Sequence, residues 1–185
     1  MDKRALRKYF LDIRSGLSQS FVKEASQMIT HNLFAFNEFR SAQIIHCYSS
    51  IPDNREVDTA QILQHCTDSG KQLIMPKVLP NGELNHVLIE PATVFKTNKW
   101  GVAEPQDGKL IQPDVPDLII VPMVAGDRMK NRLGYGKGYY DRFLSKSVGL
   151  KVGILFDCQL YKSSLPIESF DIPLDLLITE NEIIG

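Results

Sequence analysis

One run constrains this chain more than any other: Asn131 to Asp141, NRLGYGKGYYD. Gly134, Gly136 and Gly138 stand at alternate positions, Arg132 and Lys137 lie among them, and Tyr139 and Tyr140 precede Asp141. Upstream, Leu118–Pro122 (LIIVP) has the β-branched character of a buried strand. Downstream, YYDRFLSK reads as the opening of a helix near Tyr140. A glycine turn between strand and helix is an α/β arrangement in which backbone N–H groups and a helix N-terminus can face an anion. Arg132 and Lys137 add positive charge, and Asp141 can hold a divalent metal beside a phosphate. The same residues also read as a surface turn with two packed tyrosines. The Walker pattern is absent because no Gly-Lys-Ser/Thr ends the run. The dinucleotide fingerprint is absent because the glycine spacing differs.

The flanking chain supports a layered α/β fold. Leu6, Tyr9, Phe10 and Ile13 recur at helical spacing, with Lys3, Arg4, Arg7, Lys8 and Arg14 on the other faces. A break at Ser15–Ser18 ends this helix, and Ser18 can cap a second through Phe21, Ala25, Ile29 and Leu33. Lys3 and Arg7 share a face, as a solvated basic stripe or as cations reaching a polyphosphate. Ala42–Tyr48 reads as a strand, Glu56–Thr59 as the acidic start of a helix to about Ser69, and Gln72–Pro76 as a second strand. Strand, helix and strand in succession imply a parallel sheet. Ligands of such sheets collect at the carboxyl ends of the strands, which singles out Tyr48, the loop to Glu56 and the residues after Pro76. Glu83–Ile89 reads as an added antiparallel strand. Trp100, in a loop from Lys96 to Pro105, can stack on a flat ligand or cover a core edge. Lys151–Phe156 and Leu174–Thr179 complete the sheet. The fold class expected is α/β, a mostly parallel sheet sandwiched by helices in three layers, with residues 1–185 as a single domain.

Bulk properties narrow the function. A 43% hydrophobic content allows an ordinary core, and a formal net charge of -1 provides no global field for nucleic acid and no polybasic membrane patch. Cys47, Cys66 and Cys158 form no CxxC pair, which argues against a zinc site or disulfide framework. The N-terminus is too charged for a signal peptide and no apolar run approaches membrane-spanning length, so a soluble cytoplasmic monomer is expected.

Taken in order, these motifs resemble the 5-formyltetrahydrofolate cyclo-ligase family, also called methenyltetrahydrofolate synthetase. The resemblance rests on KRALR at Lys3–Arg7, the Tyr48–Thr59 segment, WGVAEP at Trp100–Pro105, Val121-Pro122, the run Asn131–Arg142, and Asp171 with Asp175 through Glu180. It spans nearly the whole chain. The family often carries glycine where this chain has Lys130 and Lys137.

The resemblance implies an ATP-dependent ligase of one-carbon metabolism that closes 5-formyltetrahydrofolate to 5,10-methenyltetrahydrofolate with Mg²⁺. It implies ATP contacts from Lys3, Arg4, Ala5, Leu6, Arg7, Arg132, Leu133, Gly134, Tyr135, Gly136, Lys137, Gly138, Tyr139 and Tyr140. It implies folate contacts, with or without a polyglutamate tail, from Arg7, Tyr48, Glu56, Trp100, Tyr135, Gly136, Lys137, Gly138 and Tyr139. Asp141 and Asp171 would hold magnesium, and Lys137 and Arg132 would neutralise the transferred phosphoryl group. On residues alone two alternatives stay open: a sugar-phosphate or CoA-handling enzyme on a similar scaffold, and a non-catalytic nucleotide-binding module.

Overall fold

The computed structural model describes residues 1–80, 82–98 and 101–185. Its centre is a seven-stranded sheet in the order β12-β11-β9-β6-β1-β2-β3. The strands are β1 (Ile44–His46), β2 (Gln72–Val78), β3 (Leu84–Leu88), β6 (Leu118–Val121), β9 (Leu150–Ile154), β11 (Leu176–Ile178) and β12 (Ile183–Ile184). β1, β2, β6, β9 and β11 run parallel, and the edge strands β3 and β12 run antiparallel. The chain is therefore mixed α/β with a mostly parallel sheet, as the strand–helix alternation predicts.

Alternation along the strands divides the core. Ile45, Leu73, Leu118, Ile120, Val152 and Ile178 face one side, against Ala25, Ile29 and Leu33 of α2 (Gln19–Ala35), Phe39 of α3 (Asn37–Ser41) and Ile62 and Cys66 of α4 (Ala60–Asp68). Ile119, Val121 and Leu177 face the other side, against Phe143 and Leu144 of α5 (Tyr139–Leu144). α1 (Lys3–Ser15) packs Leu6 and Phe10 on Val124, Ala125 and Leu133. Ala125 and Leu133 belong to a separate three-stranded sheet, β10 (Leu160–Tyr161), β7 (Ala125–Asp127) and β8 (Arg132–Leu133), and Val124 directly precedes β7. A hairpin of β4 (Phe95–Thr97) and β5 (Ala103–Pro105) stands beside β2.

Local chemistry sets the helix starts. The Asp2 carboxylate accepts the Ala5 N–H at 2.7 Å, and the Ser18 hydroxyl accepts that of Phe21 at 3.1 Å. Two sequence expectations change. Arg14 is not on a polar face: Leu6, Phe10 and Arg14 recur at intervals of four and form the buried stripe of α1. Glu56 does not begin a helix. A 3-10 turn at Pro52–Asn54 ends on Arg55 in the left-handed region (φ 52°), and α4 starts only at Ala60. The acidic cluster therefore lies in an irregular segment, free to turn Glu56 inward.

Lys130 is also left-handed (φ 65°). Its turn is anchored by Asp127, which is fully buried. The Asp127 carboxylate accepts the N–H groups of Met129, Asn131 and Leu165 at 2.9, 3.0 and 2.7 Å and the Asn131 side-chain amide at 3.0 Å. Those bonds fix the entry to the glycine run.

Candidate active site

The chain leaves β1 and returns to the sheet through β2 on one side and β6 on the other, so the order of connection reverses between β1 and β6. A crevice opens at the carboxyl ends of parallel strands at such a point. Here it holds a cavity of about 1030 Å³. Tyr48 reaches it from beyond β1, Met75 and Pro76 from β2, and Pro122 from the end of β6. Across it lie Lys3, Arg4 and Arg7 of α1, the whole run Arg132–Asp141, and a loop with Glu168, Phe170 and Asp171.

The alternating glycines have a steric reason beyond backbone freedom: each lies under an arginine. A Cβ on Gly134 would stand 2.6 Å from Arg132 Nη1, on Gly136 3.1 Å from Arg7 Cζ, and on Gly138 2.9 Å from Arg142 Nη1. Gly136 (φ 90°) and Gly138 (φ 68°) also take backbone angles that L side chains resist. Arg7 Nε donates to the Gly134 carbonyl at 2.8 Å. Arg142 donates to the carbonyls of Gly82 and Lys137, joining the tip of the β2–β3 hairpin to the run. The loop is thus wrapped in guanidinium groups, with the Lys137 side chain at its exposed crest.

Two ion pairs frame one end of the cavity. Arg132 meets Asp141 at 2.7 Å and Lys3 meets Asp171 at 2.5 Å, with Lys3 also 2.7 Å from Glu168. Burial works against the Lys3 ammonium, but its bonds to Asp171 and Glu168 outweigh this and raise its pKa above the ordinary lysine value. The cavity as a whole is lined by five cations (Lys3, Arg4, Arg7, Arg132, Lys137) and six carboxylates (Asp2, Glu56, Glu104, Asp141, Glu168, Asp171). A polyphosphate entering that balance needs a further positive charge beside the carboxylates. Among the described residues no three His, Cys, Asp or Glu side chains converge as a ready-made metal cage. A cation here would draw on one or two carboxylates, with the remaining positions filled by phosphate and water. Magnesium suits such a donor set, and Asp141 and Asp171 fit it.

The other end is aromatic and nearly closed. Tyr48 is 6% exposed and Glu56 7%. Glu56 Oε2 accepts the Ile51 N–H at 2.7 Å, and Oε1 accepts the Tyr135 hydroxyl proton. Burial, reinforced by the nearby Glu56 charge, holds the Tyr48 and Tyr135 phenols above the usual tyrosine range. Burial does the same for Tyr140, whose hydroxyl, like Arg132 Nε, is enclosed without a hydrogen-bond partner among the described residues.

Of the nucleotide-side residues predicted from sequence, Lys3, Arg4, Arg7 and Arg132–Tyr140 line the cavity. Ala5 and Leu6 are set back from it: Ala5 serves the helix cap and Leu6 is core. Tyr48, Glu56, Tyr135, Gly136, Lys137, Gly138, Tyr139, Asp141 and Asp171 line it too. Trp100 lies outside the described residues. Arg14 and Asp127 escaped the sequence reading. The four-residue spacing of Leu6, Phe10 and Arg14 is the signal for the first, and the Asp127-x-x-x-Asn131 turn for the second.

Fold and site together define a class: an α/β protein with an arginine-wrapped glycine turn, an acidic pair and an aromatic slot at the switch point of a parallel sheet. The chain belongs to the 5-formyltetrahydrofolate cyclo-ligase family, whose profile matches residues 1–180. It is 30% identical to the 5-formyltetrahydrofolate cyclo-ligase of Haemophilus influenzae over 187 residues, covering 95% of this chain and 97% of that one. It is 29% identical to the probable 5-formyltetrahydrofolate cyclo-ligase of Schizosaccharomyces pombe over 200 residues, with 100% and 98% covered. The NMR structure of Aquifex aeolicus 5,10-methenyltetrahydrofolate synthetase superposes with a TM-score of 0.87 at 35% identity, covering 99% of this chain and 92% of that one. The Mycoplasma pneumoniae synthetase superposes at 0.79 and 27% identity, with 97% and 99% covered.

Proposed function

We propose that this chain is an ATP- and magnesium-dependent ligase that closes 5-formyltetrahydrofolate to 5,10-methenyltetrahydrofolate, releasing ADP and phosphate. One observation carries the reading. A single cavity unites a cationic, carboxylate-rimmed end at Arg132, Lys3, Asp141 and Asp171 with an aromatic end at Tyr48, Glu56 and Tyr135. The glycine run forms part of both ends, so a nucleotide and a flat heterocycle can meet along it.

An N-formyl group is amide-like, so its carbon is a weak electrophile and its oxygen a poor leaving group. In the proposed reaction the formyl oxygen attacks the γ-phosphorus of ATP, and ADP departs with the bridging electron pair. N10 of the folate then attacks the activated carbon and loses its proton to solvent. The C–O bond breaks, phosphate leaves with the former formyl oxygen, and the five-membered ring closes as the methenyl cation. No protein nucleophile is needed.

The chain's task is positioning and charge neutralisation. Lys3, Arg4 and Arg7 steer the triphosphate, and Lys137 and Arg132 neutralise the phosphoryl group in transit. The Glu56 carboxylate accepts N–H groups of the pterin edge, and Tyr48 closes the slot over it. Asp141 and Asp171 would hold magnesium, which would supply Lewis-acid polarisation of the phosphoryl oxygens. A carboxylate engaged in that way would release its former partner, Lys3 or Arg132, for phosphate. The whole chain acts as one domain in this reading, and the expected setting is the cytoplasm.

The test mixes the protein with Mg-ATP and 5-formyltetrahydrofolate and follows the near-ultraviolet absorbance of the methenyl product. A rise that requires ATP supports the reading. Folded protein that gives no such rise overturns it.

A further inference from the structure

We infer that Arg14, remote from the glycine run in sequence, is a positioning residue for the folate end of the cavity. From the last turn of α1 it holds the Tyr135 hydroxyl so that this hydroxyl donates to Glu56, and so fixes the carboxylate that meets the pterin. The inference rests on the folate reading and adds a residue to it.

The hydrogen-bond directions leave no choice. A guanidinium carries donors and no acceptor. Arg14 Nη2 lies 2.5 Å from the Tyr135 hydroxyl, so that oxygen accepts. Its one proton must then go to the other neighbour, Glu56 Oε1. Arg14 Cζ also stands 5.4 Å from the Tyr135 ring centroid, which holds the ring as well as the hydroxyl. Tyr135 is 41% exposed overall, yet its hydroxyl end is enclosed between the two charged groups.

A cation this deep needs a reason. Arg14 is 2% exposed, and the network contains one anion, Glu56, reached through the phenol. Its other bond goes to the Met123 carbonyl at 3.3 Å, and Nε is buried without a partner among the described residues. Anchorage of α1 alone would be met by an apolar residue continuing the Leu6–Phe10 stripe. Three turns separate Arg14 from Lys3, so one rigid helix sets one cation in the cavity wall and another behind Tyr135.

The experiment measures KM for 5-formyltetrahydrofolate and for ATP separately in the wild type, Arg14→Met, Arg14→Lys, Tyr135→Phe and Arg14→Met/Tyr135→Phe, with thermal melts alongside. Arg14→Met raises the folate KM roughly tenfold and leaves the ATP KM within about twofold. Tyr135→Phe does the same, and the double variant is no worse than the poorer single one, because both break one chain of bonds. Arg14→Lys, which keeps the charge, recovers part of the loss. Effects that multiply in the double variant, or a lowered Tm with both KM values unchanged, overturn the inference. Should Arg14→Met fail to fold, Tyr135→Phe decides: an unchanged folate KM overturns the inference and a raised one supports it. A wild type without ATP-dependent turnover strikes the folate reading itself, an outcome distinct from an active wild type whose Arg14 variants leave the folate KM alone.

Discussion

Arg132 and Asp141 meet at 2.7 Å across the glycine turn, their side chains only 5% and 17% exposed. A pair this shielded contributes to stability, because removing one partner strands the other charge. Asp141→Ala should therefore lower stability by roughly 3 kcal/mol, in addition to abolishing magnesium-dependent turnover. For a chain of this size that is a fall in Tm of about 6–12 °C, read by calorimetry. Turnover should drop at least about a hundredfold and stay low at saturating magnesium. A variant retaining more than a tenth of wild-type activity would remove Asp141 from the metal site.

Gly136 predicts a different signature. Alanine there meets Arg7 Cζ at 3.1 Å and inherits a φ of 90°. The backbone term is roughly 1–2 kcal/mol, and Arg7 must shift away from its bond to Gly134. The loop is exposed, so the strain falls on the site more than on the core. Gly136→Ala should raise the ATP KM roughly tenfold while lowering Tm by no more than about 8 °C. Arg7→Ala combined with Gly136→Ala should lose less than the two single losses together, since the clash then has no partner and only the backbone strain remains.

How much of this was legible beforehand depends on length of pattern. Leu118–Val121 and the stripe Ile29–Leu33 announce themselves because apolar runs of that kind admit few folds. β8 and β10 are two residues each, below any periodic signal, so the three-stranded sheet under α1 was invisible. Lys3, Arg7 and the glycine run were legible as candidates for one site and do line one cavity, but the guanidinium group over each glycine was not legible, least of all that of Arg7, which comes from a distant helix. Glu56 was misplaced because acidic residues before an apolar helix imitate a helix start, and only the left-handed Arg55 redirects the chain. Arg14 hid among four other basic residues of the first helix, since charge pattern says nothing about depth.

Two buried histidines should make stability pH-dependent. His86 Nδ1 and His46 Nε2 are 3.2 Å apart, packed against Phe143. Burial pushes His86 down to about 4 and His46 well below the ordinary histidine value. The unfolded chain takes up these protons near pH 6.5, whereas folded His86 declines its proton until about pH 4 and His46 is shifted in the same direction. Protonation therefore favours the unfolded state within that window. The associated stability is complete above about pH 6.5 and is lost progressively as pH falls toward 4. Denaturant titrations of the wild type and His86→Asn at pH 7.5, 6, 5 and 4.5 check this. The variant should lose less stability over the series, and parallel slopes would count against the histidines.

The thiols offer a check on the core. Cys47 and Cys66 are buried and Cys158 is exposed. Burial raises Cys47 well above the usual thiol range and Cys66 to about 11. Thiolate is the reactive form, so a thiol reagent at pH 8 should label one cysteine in the folded protein and three after denaturation. Rapid labelling of all three without denaturant would contradict the packing of α4 on β1 and β2.

Glu56 is where the folate reading is most exposed to test. Its two carboxylate oxygens have different partners, the Ile51 N–H on Oε2 and the Tyr135 hydroxyl on Oε1. Glu56→Gln keeps the shape but replaces one acceptor with an NH₂ that can only donate. Whichever way the amide turns, it opposes a donor: the Ile51 N–H, or the hydroxyl that Arg14 has already committed. The pterin edge would meet that mismatch too, so the folate KM should rise at least about thirtyfold, and the ATP KM should change little because the amide lies at the far end of the cavity. Glu56→Asp retains the charge but shortens the reach, and should fall between the two. If Glu56→Gln instead weakens ATP and spares the folate, the ends of the cavity have been assigned the wrong way round.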